Sequence, residues 1–135
     1  EQKVYQDFAH APSKVIATMQ AVRENFSASK ILCFLELHTY SSLNREFLPQ
    51  YEDSLNECDL AVVFYDKRAL EIKKMEVLPE EFIKESFGRN DILVFDNSEE
   101  LKNFYVKNNS TFDLILFLGS GNWGGLNVRN QPILG

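Results

Sequence analysis

Apolar residues along this chain follow two rhythms, short unbroken runs and longer stretches with an apolar position every three or four residues. The runs are KVYQDF (3–8), KILCFLE (30–36), DLAVVFY (59–65), DILVFD (91–96) and FDLILFLGS (112–120). Runs of this length and composition predict strands, and those lacking alternation predict strands covered on both faces. Between the first two, Val15, Ile16, Met19, Val22 and Phe26 share one face of a helix that opens with Pro12 near its first turn. Leu43, Phe47, Leu48, Tyr51 and Leu55 mark a second helical face, which Pro49 should kink or split. PEEFIKESF (79–87) predicts a short helix stopped by Gly88. Asn97 or Ser98 then caps a helix running to about Lys107, with Glu100 placed to reciprocate the cap. Residues 66–78 hold neither rhythm and are expected to form a loop with a short strand.

Strand–helix alternation with apolar strands predicts an α/β domain, an open, mainly parallel sheet flanked by helices. Ligands of such sheets bind beyond the carboxyl ends of the strands. Three polar or glycine-rich segments fall on that edge: DFAHAP (7–12) after the first strand, ELHTYSS (36–42) after the second and GSGNWGG (119–125) after the fifth. Their shared edge is the strongest sign of a site.

Composition narrows the partner. The chain has 135 residues, enough for one core, and 44% are apolar. A net charge of −6, with no cluster of Lys and Arg, argues against a nucleic-acid partner. The nearest basic stretch, DKRALEIKK (66–74), reads as a solvated face. Apolar runs of this length do not span a membrane, and no signal peptide is visible. Cys33 and Cys58 sit in or beside apolar sequence and are expected to be buried, reduced packing residues. The chain enters strand-like sequence directly from Glu1, which raises the expectation of a piece of a longer polypeptide.

Each segment carries a chemical reading beside a plainer one. Asp7 at a strand end can accept from ribose hydroxyls, and the helix that follows favours phosphate at its N-terminus. His10 can donate to either; equally, Asp7 closes its own turn and His10 satisfies a nearby carbonyl. Phe8 is either core or a flank for a planar base. Glu36, His38, Thr39, Tyr40, Ser41 and Ser42 offer a hydrogen-bonding surface for a polar substrate, or a loop that caps itself. A metal centre is disfavoured, because His10 and His38 lie on different loops without further ligands at recognisable spacing. The glycines of GSGNWGG permit close backbone approach, and Trp123 either packs or borders the cleft. No P-loop lysine follows them, and the first strand lacks a dinucleotide fingerprint.

Taken in order, DFAHAPSK (7–14), FLELHTYSSLNREFL (34–48) and SGNWGGL (120–126) resemble motifs of the Mur ligase C-terminal domain, over residues 3–128. The second motif resembles the branch that acts on UDP-N-acetylmuramate. The third is similar to the ending of those members that join a whole cell-wall peptide, L-alanyl-γ-D-glutamyl-meso-diaminopimelate, in peptidoglycan recycling.

The resemblance implies a Rossmann-like domain (1–128) with a tail or edge segment (129–135), cut from a cytoplasmic ligase whose UDP-binding and central ATPase domains are absent here. In such enzymes ATP, with Mg²⁺, phosphorylates a carboxylate and an incoming amine attacks the acyl phosphate. Carried over, Asp7, Phe8 and His10 meet ATP, while His38, Ser41, Ser42, Gly121 and Asn122 lie along the peptide site. Implied partners are UDP-N-acetylmuramate, the cell-wall peptide and the central ATPase domain. Family members commonly place a cation after the second strand; here Thr39, Ser41 and Ser42 stand there, leaving Arg45 or Arg89 as candidates. No catalytic residue is assigned to this stretch, and alone it is expected to be inactive. The alternatives are the L-alanine-adding branch, a receiver-like module and a stand-alone ligand-binding domain. A receiver is disfavoured by the missing lysine after the fifth strand and the missing acidic neighbour of Asp7.

Overall fold

The computed structural model describes residues 2–38 and 43–125. Five strands form one sheet: β1 (Lys3–Asp7), β2 (Ile31–Glu36), β3 (Leu60–Phe64), β4 (Leu93–Phe95) and β5 (Leu114–Leu118). Their order is β1-β5-β2-β3-β4 and every pairing is parallel. The expected mainly parallel sheet is therefore parallel throughout. Helices α1 (Pro12–Asn25), α2 (Lys67–Ile72), α3 (Glu80–Ser86) and α4 (Ser98–Asn108) flank it.

Alternation along the strands divides the core into two layers. Ile31, Cys33 and Leu35 of β2 face Val15 and Met19 of α1, Leu70 of α2, and Ile83 and Phe87. Leu32 and Phe34 face the opposite way, toward Leu101 of α4, Phe117 and Trp123. Phe34 stacks on Phe117 with ring centroids 4.7 Å apart.

The chain advances across the sheet from β1 to β2, β3 and β4 with its connections on one face. It then returns through α4, on the other face, to insert β5 between β1 and β2. Crossovers of one hand require that change of face when the direction of travel reverses. The segments leaving the neighbouring strands β2 and β5 consequently diverge, Leu48–Leu55 to the α1 side and Trp123 to the α4 side. That divergence is the topological switch at which α/β sheets open a crevice.

Two expectations are corrected. The helix anticipated over 43–55 is a 3₁₀ turn, Leu48–Tyr51, between irregular turns. Asn44 Oδ1 takes the amides of Glu46 (2.8 Å) and Phe47 (3.2 Å), and Pro49 brings no amide to a longer helix. The apolar positions remain inward, with Leu43, Leu48, Tyr51 and Leu55 all buried. Residues 66–78 hold α2 and no strand, because the Asp66 carboxylate caps the Arg68 amide at 3.1 Å. The cap on α4 is as expected at Asn97, which accepts from the Glu100 amide at 3.1 Å. The proposed tail at 129–135 lies outside the described residues.

The amino edge of the sheet is pinned by Arg89. Its Nη1 donates to the carbonyls of Leu55 (2.6 Å) and Cys58 (2.9 Å), and its Nη2 to that of Asp59 (3.0 Å). Asp91 closes the other side of the guanidinium at 2.7 Å, and Arg89 holds the Asp91 carboxyl below its usual range. Replacing Arg89 by Met removes its donors from three carbonyls at once, leaving that of Leu55 only the Cys58 thiol at 3.1 Å. The expected loss is on the order of 2–3 kcal/mol in urea unfolding, with an unchanged m-value, and Arg89→Lys is not expected to recover it, because one ammonium cannot serve that fork.

Candidate functional site at the carboxyl edge of the sheet

Because all five strands are parallel, Asp7, Glu36, Phe64, Phe95 and Leu118 end on one edge. Two hydrogen bonds draw the segments beyond β1, β2 and β5 together there. The Gly119 amide donates to the Asp7 carbonyl at 3.0 Å, joining β5 to β1. The Trp123 amide donates to Glu36 Oε1 at 2.9 Å, joining the turn after β5 to β2. Between the β1 and β2 exits, His10 lies close enough to His38 for its charge to act on that ring.

Asp7 accepts the Ala9 amide at 2.8 Å, and the Nδ1–H tautomer of His10 donates to the Phe8 carbonyl, also 2.8 Å away. Both plainer readings of these side chains are thus present in the structure. They leave the outer faces of both residues in solvent, with Phe8 67% exposed between them. Below, the Tyr51 hydroxyl donates to the His10 carbonyl and fixes the turn to the core. Burial lifts that phenol to about 12. Pro12 begins α1 immediately afterwards, and its N-cap, Ala11, offers no side-chain acceptor to the first-turn amides.

Glu36 is the buried acid of the rim, 2% exposed. Its position continues the alternation of Leu32 and Phe34, so it faces the side on which Trp123 packs. Burial raises its carboxyl to about 7; the Trp123 amide opposes the shift and the charge of Asp66 adds to it. His38, one turn further, is exposed. Desolvation lowers its pKa, helped by the charges of Lys73 and His10, so its imidazole stays neutral near physiological pH. The Lys73 ammonium lies 3.5 Å from the His38 carbonyl.

The glycine-rich turn closes on these groups. A Cβ on Gly121 would stand 2.5 Å from Glu36 Oε1 and 2.8 Å from His38 Cγ, so only glycine fits there without displacement. Gly124 is less crowded, with Ser98 Cβ 3.0 Å and Phe64 Cζ 3.2 Å from such an atom, but its φ of +64° favours glycine. Trp123 itself is buried and belongs to the core, its ring stacked on Phe64 and edge-on to Phe117. Asn122, next to it, is exposed at the rim.

The structure therefore brings together Asp7, Phe8, His10, His38, Gly121 and Asn122. Thr39, Ser41 and Ser42 lie outside the described residues. Arg45 turns toward α3, paired with Glu76 at 3.1 Å and lying 4.9 Å over the Phe82 ring. Arg89 lies at the opposite edge, where it serves backbone carbonyls. Two cations unforeseen in the sequence stand at the rim instead, both from the stretch expected to be a solvated face. They are Lys73 and Arg68, the latter donating to the Gly124 carbonyl at 3.3 Å. Among the described residues no group of three His, Cys, Asp or Glu is placed to hold a metal, and no helix is long and apolar enough to cross a membrane.

No family model matches the chain. Curated proteins do: it is 27% identical, over 98% of its length, to the UDP-N-acetylmuramate–L-alanine ligase of Lactobacillus delbrueckii subsp. bulgaricus. The relatives are Mur ligases. The chain spans only 28% of the length of that protein. Solved Mur ligase structures share its fold. A domain assigned to a UDP-N-acetylmuramate:L-alanyl-γ-D-glutamyl-meso-diaminopimelate ligase of Haemophilus ducreyi superposes with a TM-score of 0.58 at 23% identity, over 90% of this chain and 82% of that one. The murein peptide ligase of Psychrobacter arcticus superposes with a TM-score of 0.67 at 16% identity, over 93% of this chain and 26% of that one. The parallel sheet flanked by helices is that of the Mur ligase C-terminal domain.

The raised carboxyl of Glu36 has a measurable consequence. Between its ordinary value of 4.5 and about 7 the folded chain keeps a proton that the unfolded chain has lost. Stability contributed by this group therefore falls as pH rises through that window, and the full penalty stands above it. Glu36→Gln keeps an acceptor for the Trp123 amide and removes the titration. The variant is expected to match the parent below pH 4.5 and to exceed it above pH 7, by up to about 3 kcal/mol in chemical denaturation. A gap independent of pH would refute the assignment.

Proposed function

We propose that this chain is the C-terminal domain of an ATP-dependent Mur-type ligase. In the longer protein it would close over the nucleotide and present the incoming amino component to an activated carboxylate of UDP-N-acetylmuramate. The observation that carries the reading is the convergence of three separated motifs on one switch-point rim, one of them anchored through a buried acid.

In this reading Asp7, Phe8 and His10 form the ATP side. Phe8 offers a broad apolar face to a base, His10, whose Nδ1–H serves the Phe8 carbonyl, its Nε2 as an acceptor for a ribose hydroxyl, and the uncapped start of α1 a partial positive charge. His38, Gly121 and Asn122, with Ser41 and Ser42, form the peptide side. Neutral His38 can accept from an ammonium or donate to a carboxylate without carrying charge of its own. The cations that stand at the rim in this reading are Arg68, which also pairs with Asp66 at 3.6 Å, and Lys73, while Arg45 pairs with Glu76 and lies over Phe82 away from it.

ATP supplies the phosphoryl group that makes the carboxylate an acyl phosphate, and Mg²⁺ neutralises the charge in transfer. Among the described residues no group of three His, Cys, Asp or Glu is placed to hold Mg²⁺. The contribution of this chain is orientation and exclusion of water, which converts attack by the amine into an effectively intramolecular step.

The incoming group is a whole cell-wall peptide, a reading supported by the SGNWGGL ending. The L-alanine-adding ligase is the second reading, favoured by the identity of the curated relatives. Competition on the longer protein separates them. Phosphate release with UDP-N-acetylmuramate and ATP is expected to show the larger kcat/KM for L-alanyl-γ-D-glutamyl-meso-diaminopimelate. A larger value for L-alanine selects the second reading, and no turnover with either removes both. In the same assay, Phe8→Ala is expected to raise KM for ATP about tenfold, the loss of one aromatic contact to a base, with KM for the peptide unchanged.

A further inference from the structure

We infer that Glu36 is the positioning residue of this rim, holding the turn after β5 so that Gly121 and Asn122 stand where a ligand can meet them. The inference rests on the reading of the rim as a ligand site and concerns how that site is kept in shape.

The turn is fastened at its two ends by different means. Its start is tied to β1 through the Gly119 amide. Its far end is fixed from one side by the Trp123 ring, held between Phe64 and Phe117 with centroids 6.2 and 5.4 Å away. Glu36 supplies the other side of that fixing, through the Trp123 amide at 2.9 Å. Trp123 has a left-handed backbone, φ +58°, a conformation that costs a non-glycine residue and needs its surroundings to impose it. Glu36 also shapes the turn by contact: its Cβ lies 3.2 Å from where a side chain on Gly119 would begin, and its Oε1 2.5 Å from that point on Gly121. One side chain thereby sets three consecutive alternate positions, 119, 121 and 123.

The choice of an acid is informative. A glutamine accepts the same hydrogen bond without the desolvation cost of a buried carboxyl. The ionisable groups beside Glu36 are His38 at the exit of β2, and Asp66 and Lys73 at either end of α2; of these, the charge of Asp66 acts on the Glu36 carboxyl.

Backbone amide spectroscopy on the 135-residue chain tests the inference without any substrate. In the parent, the Trp123 amide shift is expected to titrate with a midpoint near 7, and in Glu36→Gln to stay flat while exchange remains slow. In Glu36→Ala, exchange at Trp123 is expected to quicken about tenfold, the loss of one hydrogen bond, with the strand amides of Phe34 and Leu116 unchanged. Continued protection of Trp123 in Glu36→Ala would overturn the inference, as would equal quickening of every amide. Should Glu36→Ala fail to fold, the titration decides: a Trp123 shift that still titrates in Glu36→Gln overturns it. In the longer ligase, Glu36→Ala is expected to raise KM for the amino component more than KM for ATP. If the ligase accepts no such substrate while the amide results hold, the proposed function falls and the positioning role of Glu36 stands.

Discussion

The architecture turns on the handedness of the crossovers. Three successive steps in one direction place α1, the turns of 43–55, α2 and α3 on one face, and the single step back must place α4 on the other. Inserting β5 between β1 and β2 is what separates two neighbouring exits. Without that reversal the glycine-rich turn would leave on the same side as 43–55, and Trp123 could not reach Phe64 and Phe117. The switch point follows from topology, and the polar residues at the rim only furnish it.

The furnishing is electrostatically unusual in one respect. Most ionic side chains of the described structure lie in solvent or, like Arg89 and Asp59, serve the amino edge, where Asp59 takes the Ile31 amide at 2.7 Å and is held below its ordinary pKa first by that bond. Those pairs brace the edge at which strands begin. At the carboxyl edge the balance is opposite: Glu36 is shifted upward and His38 downward, both chiefly by loss of water. The two edges of one sheet thus differ, ion pairs and backbone hydrogen bonds bracing the start of the strands and desolvation shifting Glu36 and His38 at their ends.

Much of this was legible in the residues, for reasons that differ by element. The strands were, because Leu, Ile and Phe, with Cys33, fill 31–35 and 114–118 without a polar break, and burial on both faces needs that composition. Helix α1 followed from Pro12 and its apolar spacing. The stretch 43–55 misled, because turns packed on a sheet can bury every third or fourth residue as a helix does. Helix α2 was hidden by its six-residue length, too short for a period to emerge, although Asp66 two places before Arg68 was a capping signal. In the site, Asp7, His10, His38 and Gly121 stood out by type. Glu36 stood out less, since an acid that ends an apolar run normally marks solvent; only its parity with Leu32 and Phe34 pointed inward. Arg68 and Lys73 had no local signal, because what gives them a place is the packing of α2 beside β3.

One further property follows from the position of Trp123. It is the sole tryptophan of the chain. Its indole is sealed against Phe64 and Phe117 while its own backbone borders the rim. Indole emission is sensitive to polarity and to small changes in ring contact, and here the chromophore sits one residue from Asn122. The protein thus contains an optical reporter of its own, with the signal generated in the core and the perturbation arriving from the surface.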